Sequence, residues 1–177
     1  LSGLLALPWA LKVLWAPWVD RHYWPRMGYR RSWILPMNIG LIVLLAVLSQ
    51  LNPNALREES GVLTLFFLLF LINLFAATQD IATDGLAVGI LGPHERGIGS
   101  GVQVAAYQMG LIIGGGLLLY VLGTWGWENA FLGLTGLSIL LLLPALFFRE
   151  SESLRPPTLS HQQQEAYAKG WVSFFQR

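Results

Sequence analysis

The sequence has no cysteine. Disulfides and thiolate metal sites are therefore excluded, and nothing in it reports a redox compartment. Charge is scarce as well. Only 12% of the 177 residues are Asp, Glu, Lys or Arg, about half the share of a soluble domain. Net charge is +1, so there is no basic field to attract a nucleic acid. The three histidines, His22, His94 and His161, match no metal-ligand spacing and read as exposed loop residues. What is abundant is hydrocarbon: 54% of the residues are hydrophobic, and the mean hydropathy is +0.54. The expected solvent is a bilayer. The opening apolar run has no basic leader and is interrupted by Lys12, so a signal peptide is not expected. The sequence starts at Leu1 rather than Met and reads as part of a larger protein.

A helix needs about 20 mostly apolar residues to cross the hydrocarbon core. Five segments qualify, at about 1–19, 33–51, 61–91, 98–123 and 129–148. The expected fold is an all-α membrane bundle. Residues 149–177 turn polar, and Pro156-Pro157 with the Gln162–Gln164 run reads as a linker. Trp171, Phe174 and Phe175 suggest a short amphipathic helix on the membrane surface, or else the start of another span. Basic residues alternate between loops. Arg21, Arg26, Arg30 and Arg31 fill the first loop, and Arg96 sits in the third. Arg149, Arg155, Lys169 and Arg177 sit in the tail, whereas the fourth loop has none. The first loop, the third loop and the tail are expected on the cytoplasmic side.

The polar residues inside the spans carry the functional signal. Asp80 and Asp84 lie on one helix face, about 40° apart, and Asn73 falls close to the same stripe. A lipid-facing carboxylate is costly, so this stripe is expected to face protein or water. Lys12 is the other charge within a span, and by residue count it lies at a depth similar to the two aspartates. If the first and third spans are neighbours, Lys12 reaches one or both acids. The cluster is then either a self-neutralising pair or a titratable group tied to transport. Asp80, the deeper acid, is the candidate coupling group with Lys12 as its partner. Asp84, nearer the loop, is the candidate gate residue. Pro8 and Pro17 interrupt the first span and each removes a backbone donor.

The fourth span is rich in glycine. Gly97 with Gly101, and Gly110 with Gly114, have the small-xxx-small spacing that lets helices approach closely. Gln103, Tyr107 and Gln108 on the same span could hydrogen-bond a solute or a neighbouring helix. GIGSG lacks the Gly-Lys-Ser/Thr and the preceding strand of a phosphate loop. An Asp-x-x-x-Asp magnesium site, as in UbiA-type prenyltransferases, is the enzyme alternative. It requires a second acidic cluster, and no other span has an Asp or Glu in its interior.

Three runs in order, LKVLWAPWVDRH, RMGYRRSWILP and ATQDIATDGLAVGILGPHERGIGSGVQVAAYQMG, resemble the major facilitator superfamily. Within it they are similar to the AmpG-type permeases and their acetyl-coenzyme A transporter relatives. The resemblance implies a twelve-helix transporter of two six-helix halves, with solute bound between them. This chain would supply helices two to six and the start of the central loop, and the C-terminal half of the same polypeptide would be its partner. The lipid bilayer, a small solute and protons complete the expected partners, and no cofactor or metal is implied. The hairpin motif of the superfamily maps onto Asp20, Arg21, Gly28, Arg30 and Arg31, with Ala16 at the place of the first glycine. Asp20, Arg21, Arg30 and Arg31 with Asp84 would form the cytoplasmic gate, and the longer gap before Gly28 leaves open which arginine latches. AmpG-type members often carry Tyr-Arg-x-Gly where this chain has Tyr107-Gln108-Met109-Gly110. Proton-coupled import of an amphiphilic solute such as a muropeptide is the expected activity. Siderophore import of the RhtX/FptX type is the alternative.

Overall fold

The structure, a computed structural model, describes residues 2–24, 27–54, 58–148 and 150. Among these residues the chain forms helices and turns. The one-turn α1 (Ser2–Leu5) leads through Ala6 into α2 (Leu7–Arg21). Pro8 explains the break: with no N–H it donates nothing to the turn before it and fits the first turn of a new helix. The first expected span is thus divided. The helices α3 (Arg31–Ser49) and α4 (Glu59–Ile90) follow. At 32 residues α4 is about 48 Å long, more than the ~30 Å hydrocarbon core.

From Arg96 to Phe147 the chain is helical except at Gly126. It comprises α5 (Arg96–Leu111), a π-helical segment (Ile112–Leu117) and α6 (Leu118–Phe147). The loop expected at 124–128 is reduced to Gly126, whose φ of 83° and ψ of 177° break the helical run. Such a backbone is open essentially to glycine alone. Three contacts trace the path. Gln103 meets Asp84 near one end of α4. The Trp127 indole N–H donates to Leu48 O, at the other end of α3, at 2.8 Å. The Arg31 guanidinium donates to Leu146 O, back at the first end. The 52 residues therefore make two passes, as their length of about 78 Å requires.

By length and composition, three helical stretches are fit to cross a membrane: Arg31–Ser49, Glu59–Ile90 and Arg96–Phe147. The third is the doubled one. At 15 residues, α2 is shorter than these. The helix α3 packs between α4 and α6, while α2 lies on the far side of α4. Val19, Ile34 and Leu35 are buried near the arginines, and a packed cluster sits at the opposite end. There Leu48, Leu68 and Phe131 are buried, with Leu44, Ile72 and Leu134 packed around them. The Trp127 and Phe131 rings stack obliquely, 4.7 Å apart. Close helix contact uses glycine at Gly40, where a Cβ would meet the Phe75 ring. The linker and amphipathic helix expected within residues 151–177, and Arg26 of the first loop, lie outside the described residues.

Candidate functional site

The helices α2 and α4 run in the same direction, since Trp9 meets Asn73 and Lys12 meets Asp80. The Lys12 ammonium donates to Asp80 Oδ2 at 2.5 Å. The Trp9 indole N–H donates to Asn73 Oδ1 at 3.0 Å. Asn73 in turn donates to Leu69 O at 2.9 Å. Trp9 and Lys12 are one turn apart, Asn73 and Asp80 two. The difference in rise, about 6 Å, is made up by the two long side chains of α2. The ammonium also lies 5.5 Å from the Trp9 ring centroid, within cation–π range. Lys12 and Asp80 remain 30% and 29% exposed. An open ion pair of this kind, in the seam between α2 and α4, is costly against lipid.

A second cluster closes the end of the bundle that carries the arginines. The Arg30 guanidinium bonds the Asp20 carboxylate at the end of α2. It also lies on α4 at Gly85, where a Cβ would collide with it. Its face stacks 4.5 Å over the Tyr29 ring, and the Tyr29 hydroxyl donates to Asp20 O at 2.7 Å. Burial pushes that hydroxyl up from its ordinary value of 10.0, while the adjacent Arg30 charge pulls it down. Gly28, at φ +99°, turns the chain into α3. The Glu150 carboxylate then accepts the backbone N–H groups of Arg30 at 3.0 Å and Arg31 at 3.2 Å. An acid at a helix N-terminus satisfies donors that have no partner inside the helix.

The aspartates and arginines of the expected gate thus divide. Arg30, not Arg31, pairs with Asp20. Arg31 binds the end of α6, and Arg21 has no ion-pair partner among the described residues. Among the described residues Asp84 meets no arginine; its carboxylate accepts a hydrogen bond from the Gln103 amide of α5. The reason is rotational. Arg30 seats on Gly85, and the residue before it points about 100° away around the helix. Asp80 and Asp84 are accordingly engaged by different partners, Lys12 and Gln103.

The helix α5 is otherwise little covered. None of its residues is buried, and Tyr107 is 66% exposed. Gln108 is exposed as well. Among the described residues nothing lies within 4 Å of a Cβ added at Gly97, Gly101, Gly110 or Gly114. The glycine of α5 that does pack is Gly99, against Leu91. Sequence reasoning overlooked Trp9 and Glu150. Trp9 had a signal, one turn from an intramembrane lysine. Glu150 is the first acid after a long apolar helix, a weaker mark.

Comparison with known proteins accords with this geometry. The family model of the Major Facilitator Superfamily matches residues 1–177. The chain is 37% identical to an uncharacterised protein of Haemophilus influenzae over 176 residues, covering 97% of the chain and 39% of that protein. It is 32% identical to an anhydromuropeptide permease of Escherichia coli K12 over 145 residues, 81% of the chain and 28% of the permease. A putative transporter AmpG 4 of Rickettsia felis is 31% identical over 130 residues, 71% of the chain and 30% of that protein. The chain therefore spans 28–39% of the length of these relatives. It is an integral membrane protein, and it belongs to the Major Facilitator Superfamily, with AmpG-type permeases among its relatives.

Proposed function

We propose that the chain forms part of a secondary active transporter of a bacterial inner membrane. It imports an amphiphilic solute, of the anhydromuropeptide class, by alternating access coupled to protons. The observation that carries this reading is the Lys12–Asp80 pair inside the spans, partly open to its surroundings. Its two members do different work. A proton on Asp80 removes the counter-ion of Lys12. An unpaired ammonium in a low-dielectric seam is unfavourable, so Lys12 then seeks another anion. A carboxylate on the solute supplies one. Proton and anionic solute thereby load together, and each is released when the other leaves.

Asp20, Arg30, Tyr29 and Gly85 form the gate in this scheme, at the end assigned to the cytoplasm by its arginines. Asp84 with Gln103 tethers α5 to α4 beside that gate. The likeness to an anhydromuropeptide permease supports the solute class, while alternating access follows from the architecture of the superfamily. The test is uptake of labelled anhydromuropeptide by the full-length protein in vesicles, with and without a proton gradient. Asp80→Asn should abolish gradient-driven uptake and leave protein in the membrane at wild-type level. Undiminished gradient-driven uptake by that variant removes Asp80 from the mechanism.

A further inference from the structure

Trp9 has a setting that interfacial anchoring does not explain. It lies 12 residues before Arg21 at the end of α2, about 18 Å along the axis. That is mid-depth, away from the headgroup region where membrane tryptophans normally gather. Its single donor is already committed to Asn73 Oδ1 at 3.0 Å. The Asn73 amide is itself fixed by its bond to Leu69 O. The ring is thus held at its edge in one orientation, with no ligand needed to place it. Even so, Trp9 is 41% exposed. Its neighbour along the seam is the Lys12–Asp80 pair, which is costly against lipid.

We infer that Trp9 is a stacking platform for the sugar ring of an amino-sugar-containing solute, placed so that Lys12 and Asp80 meet the polar groups around that ring. The inference rests on the proposed reading of the seam as the solute path. The Lys12 ammonium lies over the ring, 5.5 Å from its centroid, and the part of the indole left exposed offers flat apolar area at small entropic cost. The C–H face of a pyranose needs such a surface, while its hydroxyl, acetamido and carboxylate substituents need charged partners at the rim. A cation and a carboxylate one turn away provide both kinds. A peptide alone makes use of the ions but not of the ring. The seam would therefore distinguish the sugar end of a muropeptide from its peptide end.

The experiment uses the full-length protein in vesicles, with gradient-driven uptake of labelled anhydromuropeptide. Two competitors are compared: the peptide-free anhydro-disaccharide and the free peptide. Trp9→Leu should raise the inhibition constant of the sugar about tenfold and leave that of the peptide unchanged. Trp9→Phe, which keeps an aromatic face, should retain most of the sugar affinity. An unchanged sugar constant in Trp9→Leu, or an equal rise for both competitors, overturns the inference while leaving the role of Asp80 intact. A sugar-selective rise alongside normal uptake by Asp80→Asn supports the platform and overturns the coupling scheme. No uptake by the wild type overturns both. Should Trp9→Leu fail to reach the membrane, tryptophan emission decides. The disaccharide should perturb the emission of the wild type and not of Trp9→Phe, and an equal change in both overturns the inference.

Discussion

The two ends of the bundle are held together by different physics. The end carrying Gly126 is closed by hydrocarbon: Leu48, Leu68 and Phe131 are buried, and Trp127 ties α6 to the last turn of α3. The end carrying the arginines adds charge and hydrogen bonds to its buried Val19, Ile34 and Leu35. Arg30 joins Asp20, Tyr29 reaches Asp20 O, and Glu150 caps α3. Packed hydrocarbon forfeits contact when it separates by even a fraction of an ångström. An ion pair beside water exchanges one partner for another at modest cost. In the proposed cycle the polar end suits the cytoplasmic gate, and the apolar end is the stiffer of the two.

The contrast is broken most strongly at the apolar end. Phe131→Ala removes the aromatic centre of the core and should cost about 3 kcal/mol or more, seen as a lowered unfolding temperature of the purified full-length protein. If the two ends were equivalent, a gate substitution would cost as much. It should not. Gly85→Ala puts a Cβ where the Arg30 guanidinium lies and displaces it from Asp20. Transport should fall about tenfold, while stability changes by about 1 kcal/mol or less, as for other exposed ion pairs. Uptake measured beside thermal unfolding separates the two quantities.

The smallest expected effect sharpens the comparison by pH. The Tyr29 hydroxyl titrates above its ordinary 10.0 because it is buried. The folded state therefore holds that proton more tightly than the unfolded one. The stability it contributes is complete below pH 10 and is lost as pH rises through the raised value. Tyr29→Phe removes the bond to Asp20 O and should cost about 1 kcal/mol at neutral pH. It should also remove this alkaline component of the stability profile. Unfolding followed from neutral to alkaline pH checks both.

How far the sequence revealed all this depended on the range of each constraint. Helical content and the membrane class follow from composition, because apolar runs have few other solutions. The Lys12–Asp80 contact was legible because charges at equal depth in neighbouring helices must pair to be tolerated. Asp84 was not legible in the same way. Its partner depends on Arg30 seating on Gly85, a contact across 55 positions that leaves the adjacent carboxylate pointing toward Gln103. The glycines of α5 have the spacing of a packing stripe, yet periodicity does not say whether another helix stands opposite. The break near Gly126 was legible from the two apolar runs it separates, but its reduction from a loop to one residue was not. Residues 118–147 are helix-compatible almost throughout, and a single left-handed glycine suffices to divide them.

The π-helical stretch Ile112–Leu117, with its three consecutive glycines, has a mechanical meaning of its own. Such a turn stores one surplus residue, and glycine lets the surplus migrate along the rod with little steric resistance. Each step re-aims only the residue that the surplus passes, by about 100°, so side chains within 112–117 can turn while the helices on either side keep their relative setting.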